Sequence, residues 1–484
     1  MWSLILVRLS TIFLVQTWFV PDEYWQATEV AHRFIFGNGE LTWEFDYGLR
    51  SYIPICIYAF IFNILKMCKT DTSYLITVAP RVFQLLCFTL CEIKFLKTVK
   101  EKMGVHVFRW VNFFLSSSWF IFYTCSRTLA NTTELSLMYL SLSGYGLRKE
   151  NTSSTIFYIF GFISCLLRPT ALVFYVPLTL AKLLSKKNNE LLVLIKAIPY
   201  MVVALFLSIL VDSYFYNRII VSQWNFLKFN VIEDGASHFG RHHSLWYLIE
   251  GLPPLFGPMI VMSMMSFKTS RKTMDLDFGY ERLVFGATII FALLIYSVQP
   301  HKEHRFLLPI VPFISFLAAI ACFKLRKKKQ NRIIALTLCF NIPLGLYFCF
   351  IHQRAPLDVV KYLAEEAKLT GSISALFLLP CHSTPMFSHI HYPIEVKYFT
   401  CLPNLNYNRN YVNEADGMLL DPVGAIKKNL FRKPTYVIAG TYLQNKIAQV
   451  LKNYGYIRKH RYLHHLISVD RVGNFIDVYK LNNI

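Results

Sequence analysis

The chain has 484 residues, of which 54% are hydrophobic and only 16% are charged, and its formal net charge is +21. Soluble globular proteins carry about 25% charged residues, so this composition excludes an ordinary soluble protein. Many apolar runs reach the ~17 to 25 residues that cross a bilayer, which indicates a polytopic membrane protein. The Lys and Arg residues lie in short loops between these runs, which excludes nucleic acid as a partner and indicates loops facing the cytoplasm.

The first apolar run, Trp2–Val20, lacks a small-residue cleavage site, so we expect a retained signal anchor. Pro21 ends this helix, and Asp22 and Glu23 follow it directly at the edge of the bilayer. Carboxylates at such a place are usually hydrated, paired or functional, because leaving them dry costs free energy. We predict that this pair supplies a general base facing a sugar, and a solvated helix cap is the alternative.

Further apolar runs bring the prediction to about eleven transmembrane helices. The remaining predicted spans are Ser51–Lys66, Tyr74–Leu96, Val105–Thr124, Leu129–Tyr145, Ile156–Leu180, Leu191–Tyr216, Leu245–Met265, Leu283–Val298, Phe306–Phe323 and Ile333–Ile351. Arg168 and Pro169 interrupt one of these runs, which is therefore either one long span or two short ones. A broken helix at membrane depth commonly lines a cavity, and an arginine there needs a partner such as a lipid phosphate or a carboxylate.

Three basic loops give the predicted orientation, because loops on the cytoplasmic side are rich in Lys and Arg. They are Lys182–Lys187, Lys268–Arg282 and Lys324–Arg332. The stretches expected on the opposite, luminal side are then residues 21–50, 224–244, 301–305 and 352–484. Sequons at Asn131 and Asn151 flank one predicted span, so at most one of them is luminal if that span crosses once.

A second polar cluster, His301–Arg305, places five ionisable residues between two predicted spans. Lys and Arg at this position suit the phosphate of a lipid substrate. The alternative is an interfacial anchor of extended basic side chains. A plain anchor seldom combines two histidines with a glutamate, so we favour a functional role.

A third polar stretch, residues 224–244, contains His238 and His242 among several charged residues. The spacing of its histidines matches no zinc motif. We predict a loop that binds the acceptor, and a solvated loop without function is the alternative.

The character of the chain changes after Ile351, and residues 352–484 predict a small luminal α/β domain. Its predicted elements are a helix over Ala355–Leu369, strands at Ser374–Leu379 and Thr435–Ala439, a helix over Leu443–Tyr454, and strands at His465–Val469 and Asn474–Leu481. Cys381 and Cys401 lie in this polar region and could pair in an oxidising lumen. The adjacent Cys381, His382 and Ser383 do not predict a hydrolase, since a catalytic triad is assembled in space.

The sequence carries neither a P-loop nor a GxGxxG motif after a predicted strand. Those motifs would indicate a soluble nucleotide or nucleotide sugar. The polar clusters lie instead at the predicted edges of the bilayer, so we predict a membrane-borne donor.

Several motifs, spread in order over the whole chain, resemble a known family. They are PDEYWQATEVAH (Pro21–His32), LTWEFDYGLRSY (Leu41–Tyr52), RTLANTTE (Arg127–Glu134), LRPTA (Leu167–Ala171), GLPPLFGP (Gly251–Pro258), HKEHRF (His301–Phe306), HQR (His352–Arg354) and PCHSTPMFSHIH (Pro380–His391). The chain is similar to the dolichyl-phosphate-mannose-dependent mannosyltransferases of glycosyltransferase family 22, which have the GT-C fold. It departs from many relatives at His304, where they carry a second acidic residue.

This resemblance implies a multi-pass enzyme of the endoplasmic reticulum membrane with a luminal active site and no cofactor or metal. The donor would be dolichyl phosphate mannose. The acceptor would be a GPI-precursor lipid with two mannoses, which gains a third in α-1,2 linkage by inversion. The assigned residues are Asp22 and Glu23 for catalysis, His301, Lys302, Arg305 and Arg168 for the donor phosphate, and Tyr24, Trp25, Gln26, His238 and His242 for the acceptor.

The predicted fold class is therefore a GT-C-type bundle in residues 1–351 followed by a luminal α/β domain in residues 352–484. Within the family, the alternative is a sister enzyme that acts on the lipid-linked oligosaccharide or adds the fourth GPI mannose. A transporter or lipid scramblase would carry charges at mid-membrane and inverted repeats, which the sequence does not indicate. A non-catalytic subunit is the third alternative, and it would tolerate replacement of Asp22 and Glu23.

Overall fold

A computed structural model describes residues 2–147, 154–185, 189–268, 278–323, 325–405, 408, 410–430, 433–467 and 470–482. Contacts along the chain divide it into two compact units. The first comprises Met1–Ile12, Tyr47–Pro54 and Arg81–Gly345, and the second comprises Phe13–Asp46, Ile55–Pro80 and Leu346–Ile484. The segments of the two units alternate in sequence, and the domain boundary at residue 351 stays a prediction. The sequon at Asn151 lies outside the described residues.

Helices dominate the first three quarters of the chain. Those before residue 220 are α1 (Trp2–Leu14), α2 (Glu29–Phe36), α3 (Trp43–Asp46), α4 (Ile53–Met67), α5 (Ser73–Met103), α6 (Val105–Ser117), α7 (Trp119–Thr124), α8 (Ala130–Ser143), α9 (Thr155–Leu167), α10 (Leu172–Leu184) and α11 (Glu190–Tyr216). The others are α12 (Ser222–Leu227), α13 (Leu252–Phe256), α14 (Pro258–Lys268), α15 (Gly279–Val298), α16 (Val311–Phe323), α17 (Lys327–Phe350), α18 (Ala355–Thr370), α19 (Phe387–Ile390), α20 (Glu414–Leu420), α21 (Pro422–Asn429) and α22 (Gln444–Asn453).

Within the described residues, five helical segments are long and apolar enough to cross a membrane, or six if one bent pair counts as a span. They are Ser73–Met103, Glu190–Tyr216, Gly279–Val298, His304–Phe323 and Lys327–Thr370, with Tyr247–Phe256 and Pro258–Lys268 as the bent pair. Four shorter apolar helices accompany them. The chain is thus a mostly helical membrane protein, and the total of about eleven crossings stays a prediction.

Three predicted spans are broken in the structure. The run Val105–Thr124 divides into α6 and α7 at Ser118, whose backbone is extended. The run Leu245–Met265 bends by 103° where Gly257 separates α13 from α14. Gly257 has a φ of 43°, and a Cβ there would lie 2.6 Å from the ring of Phe340, so only glycine fits this corner. The run Ile156–Leu180 divides into α9 and α10 at Arg168, whose extended backbone precedes a 3₁₀ turn. Proline at the first position of that turn explains the break.

The first unit is organised around α16, in which every residue from Val311 to Cys322 is buried. Helices α6 and α14 pack against it. In the same unit, Arg8 on α1 pairs with Glu92 on α5 at 2.8 Å, and both side chains are fully buried. Arg8 also donates to the carbonyl oxygen of Leu115 on α6, so one guanidinium joins three helices. Removing one partner of such a pair would leave a buried charge and destabilise the bundle.

The second unit contains a five-stranded mixed sheet. Its strands are β1 (Ile373–Leu378), β2 (Ile394–Lys397), β3 (Tyr436–Gly440), β4 (Tyr456–Leu463) and β5 (Phe475–Leu481). Their spatial order is β2-β1-β3-β5-β4. Strand β1 pairs in parallel with β2 and β3, whereas β5 runs antiparallel to β3 and β4.

Both faces of this sheet are covered. On β1, Ala375 and Phe377 belong to one core cluster and Leu376 and Leu378 to the other. Helix α18 packs on the first face and α22 on the second. The alternation follows from the two-residue period of a strand, and a strand buried on both faces is apolar throughout.

Most predicted elements of this region correspond to observed ones, but two strands differ. The described part of His465–Val469 is not a strand, because the strand lies earlier, at β4. Strand β4 is a sheet edge with mostly exposed charged residues, so it lacks the apolar pattern that predicts a strand. Strand β2, at the opposite edge, was not predicted either.

Cys381 and Cys401 form a disulfide, with 5.8 Å between their Cα atoms and a sequence separation of 20. A loop of this length is expected to contribute about 3 kcal/mol to the free energy of unfolding. Replacing both cysteines by serine should therefore lower the Tm measured by thermal denaturation in detergent. Cys339→Ser is the matched control, since that thiol is free and exposed. An unchanged Tm in the double variant would contradict a structural role for the bridge.

Candidate active site

The first helix, α1, ends at Leu14, so Pro21 does not end it and the predicted span Trp2–Val20 is too long. The carboxylate segment begins a separate helix after the non-helical residues 15–20. The carbonyl oxygen of Pro21 accepts hydrogen bonds from the amides of Tyr24 and Trp25, both at 3.0 Å. Asp22 is partly exposed, whereas Glu23 is buried with 1% of its surface exposed. A π-helix, Tyr24–Thr28, follows directly. Such wide turns are rare and often occur at functional sites.

His382 is an electrostatic neighbour of Asp22. Burial lowers the pKa of His382 to about 4, although the negative charge of Asp22 acts in the opposite direction. The imidazole is therefore neutral near pH 7, so it does not hold Asp22 in a full ion pair. The partly exposed Asp22 is thus the better placed of the two carboxylates to meet a substrate.

Tyr24 and Trp25 pack inside the second unit. The ring of Tyr24 stacks on Trp18 with 5.0 Å between centroids. The indole nitrogen of Trp25 donates to the carbonyl oxygen of Thr384 at 3.0 Å, and its ring lies 4.5 Å from that of His382. Both aromatic residues belong to the core cluster on one face of the sheet. These contacts position the neighbouring carboxylates, and the assignment of both rings to the acceptor stays a prediction.

Glu29 joins the two motifs that the sequence singled out separately. Its carboxylate accepts hydrogen bonds from the amide and hydroxyl of Ser388, at 3.2 and 2.6 Å, and from the amide of Met386 at 2.8 Å. Burial raises the pKa of Glu29, although these donors act against the rise. The segment Pro380–His391 thereby holds the helix that carries Asp22. Gln26, by contrast, donates to Glu44 at 2.8 Å and is partly buried.

In the first unit, the His301–Arg305 cluster is internally paired. Arg305 donates from Nε and Nη2 to the two carboxylate oxygens of Glu303, both at 2.6 Å. Nε2 of His301 lies 2.9 Å from Oε1 of Glu303. Burial would raise the pKa of Glu303, but the charges of Arg305 and His301 outweigh it and hold that pKa below its usual range. Glu303 is therefore ionised and offsets part of the positive charge of the cluster.

Lys302 is buried, and this burial lowers the pKa of its ammonium group. It donates to the carbonyl oxygens of Gln299 and His242, which carry no formal charge. The backbone of His242 also donates to Pro300 at 3.0 Å, so the 224–244 stretch packs on the His301–Arg305 cluster. The ring of His242 is exposed and lies 5.3 Å from that of Trp246, whereas His238 is partly buried in a 3₁₀ turn.

Arg168 lies at the break between α9 and α10 and is linked to the same cluster through Asn131 and Phe306. Its Nε lies 2.9 Å from a carboxylate oxygen of Glu134, and it donates to the side-chain oxygen of Asn131 at 3.2 Å. Asn131 donates in turn to the carbonyl oxygen of Arg305 at 3.3 Å. The ring of Phe306 lies under both guanidinium groups, at 5.6 Å from Arg168 and 5.5 Å from Arg305. Asn131 is fully buried, so its sequon is structural and not accessible for glycosylation.

A small cavity of about 40 Å³ opens beside Arg168. Its lining residues are Leu49, Arg50, Ser51, Leu166, Leu167, Arg168, Pro169, Thr170, Ser222, Gln223 and Phe226. Two arginines and several hydroxyl or amide side chains thus line one small space, and such a lining suits a phosphate. Arg50 was not singled out from the sequence, although it lies within the quoted motif Leu41–Tyr52. Its only sequence signal is an arginine immediately before a predicted span.

Asp212 on α11 positions two of these lining residues. It accepts hydrogen bonds from the hydroxyl of Ser51 at 2.9 Å, the amide of Tyr52 at 2.8 Å and the hydroxyl of Ser222 at 2.6 Å. Asp212→Ala would leave these buried donors unsatisfied, which costs about 1 to 3 kcal/mol for each group. We expect a lower Tm and a higher KM for the donor, with a smaller change in kcat. Asp212→Asn retains one acceptor oxygen, so its Tm and its KM for the donor should lie between those of Asp212→Ala and wild type. Equal KM values in Asp212→Ala and wild type would contradict the positioning role.

An apolar groove of about 280 Å³ lies between α9, α10 and α11. Its lining residues are Phe157, Tyr158, Gly161, Phe162, Cys165, Leu172, Tyr175, Val176, Thr179, Leu180, Leu194 and Met201. The groove reaches Cys165 and the cavity begins at Leu166, so the two are neighbours along α9. A polar cavity with arginines beside an apolar groove can hold an amphipathic ligand that has an anionic head and a hydrocarbon chain.

Comparison with known proteins agrees with the resemblance found in the sequence. Residues 1–391 match the model of the Alg9-like mannosyltransferase family. A zebrafish protein named GPI alpha-1,2-mannosyltransferase 3 is 34% identical over 98% of this chain and 88% of its own length. The human protein of the same name is 32% identical over 98% of this chain and 86% of its own length.

The fold also matches a solved structure. The crystal structure of ArnT from Cupriavidus metallidurans in the apo state aligns over 98% of this chain and 97% of its own, with a TM-score of 0.61 at 13% identity. A second ArnT structure, bound to undecaprenyl phosphate, also has a TM-score of 0.61. The predicted GT-C fold and mannosyltransferase activity are therefore confirmed. The chain belongs to the Alg9-like mannosyltransferase family.

Proposed function

We propose that the protein adds the third, α-1,2-linked mannose to the GPI-anchor precursor and takes it from dolichyl phosphate mannose. The observation that carries the proposal is the identity of 32 to 34% over nearly the whole chain to proteins named GPI alpha-1,2-mannosyltransferase 3. The sister enzymes remain the alternative, and the acceptor distinguishes them.

The cavity and groove of the first unit support a polyprenyl-linked donor. Arg168 and Arg50 would bind the phosphate, because guanidinium groups pair with phosphate through two parallel hydrogen bonds. The apolar groove would hold the first isoprene units of the lipid. The ArnT neighbour is bound to undecaprenyl phosphate, a lipid of the same chemical class.

The reaction balances as one displacement. A hydroxyl oxygen of the acceptor attacks C1 of mannose, the bond between C1 and the phosphate oxygen breaks, and the acceptor proton passes to Asp22. The β-linked donor becomes an α-linked product, so a single inversion suffices. Glu23 is the alternative base, but its burial makes it the weaker candidate.

The leaving group is dolichyl phosphate, which is weakly basic and needs charge stabilisation more than a strong acid. Lys302 and Arg168 would supply that stabilisation in a preorganised form. Arg305 and His301 both contact Glu303, so we assign two roles to them. They orient the cluster, and they bind the donor phosphate. The glycosidase arrangement with a second catalytic carboxylate does not apply here.

The acceptor and the orientation in the membrane belong to the same proposal. Gln26, His238 and His242 are the polar candidates for acceptor binding, and Tyr24 and Trp25 are the aromatic candidates. We place the active site and the C-terminal α/β domain in the lumen of the endoplasmic reticulum, with about eleven crossings. The disulfide between Cys381 and Cys401 supports an oxidising compartment for this domain.

The test is complementation of cells that lack the third GPI mannose, with lipid precursors profiled by mass spectrometry. We expect the chain to convert the two-mannose precursor to the three-mannose form and to restore anchored proteins at the surface. A change in lipid-linked oligosaccharides without this conversion would identify a sister enzyme. Failure to form the three-mannose precursor in cells that express the chain at a normal level would overturn the assignment.

A further inference from the structure

Three potential metal ligands meet in the turn between β4 and β5. Nε2 of His464 lies 3.2 Å and Nε2 of His465 lies 2.8 Å from the same carboxylate oxygen, Oδ2 of Asp470. The three ligand atoms all lie within 4.8 Å of one another. The sequence analysis assigned His465 to a strand, so it did not find this cluster.

The backbone holds each of the three side chains in place. Oδ1 of Asp470 accepts hydrogen bonds from the amides of Val472 at 2.9 Å and Gly473 at 3.1 Å, which leaves Oδ2 directed at the two imidazoles. The amides of His464 and His465 both donate to the carbonyl oxygen of Asn474, at 2.8 and 3.1 Å. Outer hydrogen bonds of this kind orient the ligands of metal sites.

The cluster is closed on one side and open on the other. His464 and His465 are 3% and 2% exposed, whereas the side chain of Asp470 is 32% exposed. The ring of His352, from the segment after α17, lies 4.8 Å from that of His465 and adds a third imidazole beside the cluster. An ion could therefore enter past Asp470 and remain shielded by the histidines.

The spacing of the three groups is close to that of a metal site. A tetrahedral ion with bonds of about 2.0 to 2.2 Å would place its ligand atoms roughly 3.3 to 3.6 Å apart. The two observed separations of 3.2 and 2.8 Å approach that spacing, so a small outward shift of the side chains would seat an ion.

We propose that His464, His465 and Asp470 bind one divalent transition-metal ion of the zinc class, with the fourth position open to water. Imidazole and carboxylate ligands suit zinc, and one carboxylate offsets half of its charge. The amide of Gln353 donates to the carbonyl oxygen of His464 at 2.8 Å, so the ion would fasten the β4–β5 turn to the segment after α17. Its role is structural, and the sugar-transfer chemistry proposed above does not depend on it.

The test uses the full-length protein, purified in detergent with an affinity tag that contains no histidine. The protein is stripped with a chelator, loaded with Zn²⁺, desalted and measured by elemental analysis and thermal denaturation. We expect about one ion per chain and a higher Tm after loading. His465→Ala and Asp470→Asn should each lose the ion, while His460→Ala, on the exposed edge strand β4, should keep it.

A measurement on the wild type keeps the proposal testable if the variants do not fold. X-ray absorption at the zinc edge should show nitrogen and oxygen ligands at about 2.0 to 2.1 Å and no sulfur. Sulfur ligands, a loaded content well below one ion per chain, or equal zinc binding by folded His465→Ala would each overturn the proposal.

Discussion

Asp22→Asn is expected to reduce mannosyl transfer by roughly 10²- to 10⁴-fold at normal expression, which is the usual contribution of a general base. Asparagine keeps the shape of the side chain but cannot take the proton of the acceptor hydroxyl. The partial exposure of Asp22 and the neutral imidazole of His382 leave the carboxylate accessible to a substrate. Transfer is measured with purified enzyme, dolichyl phosphate mannose and the two-mannose acceptor lipid.

Glu23→Gln is the matched control for this experiment, because it changes the adjacent carboxylate in the same way. Glu23 is buried, so its replacement should alter stability more than the rate of the chemical step. The kcat of each variant is compared with its Tm and with its KM for the acceptor. Loss of transfer in a stable Glu23→Gln variant, with Asp22→Asn active, would assign the base to Glu23. Full activity in both would make the segment a helix cap.

The features that sequence analysis predicted well depend on local composition. Apolar runs such as Leu191–Tyr216 are long enough to predict a helix without knowledge of their neighbours, and α11 follows that run closely. The apolar strands β1 and β3 were predicted for the same reason. The clusters of charge at residues 22–23 and 301–305 stand out because charged residues are rare in this chain.

The features that it missed depend on contacts between distant residues. Asp212 looks like an ordinary residue near the end of a span, and only the fold brings it to Ser51, Tyr52 and Ser222. The hydrogen bonds from the Pro380–His391 segment to Glu29 likewise join residues more than 350 positions apart. Residue type alone gives no sign of either contact.

The aromatic residues beside the carboxylates illustrate a related limit. The residue type and position of Tyr24 and Trp25 suggest sugar binding, because aromatic rings commonly stack on sugars. In the structure both rings face the core of the second unit, where Trp18, His382 and the α18 face cover them. An amphipathic pattern shows that a face is apolar, but it does not show whether protein or ligand covers that face.

Arg168→Gln is expected to have the second large effect, a loss of roughly 10²- to 10³-fold in transfer, because it removes a preorganised donor to the leaving phosphate. Arg168 also pairs with Glu134, a fully buried carboxylate. Removing the arginine alone leaves that charge unpaired, which destabilises a buried site by about 3 to 5 kcal/mol. A simple loss of activity would therefore not separate phosphate binding from misfolding.

The double variant Arg168→Gln with Glu134→Gln separates the two roles. It removes both charges together, so the Tm should recover relative to Arg168→Gln. If Arg168 binds the donor phosphate, transfer stays low in the stable double variant, because the cavity still lacks its guanidinium group. If transfer recovers along with the Tm, Arg168 serves only as the partner of Glu134. In that case Lys302 and Arg50 would have to stabilise the leaving group, and Arg50→Gln would then be the variant with the large effect.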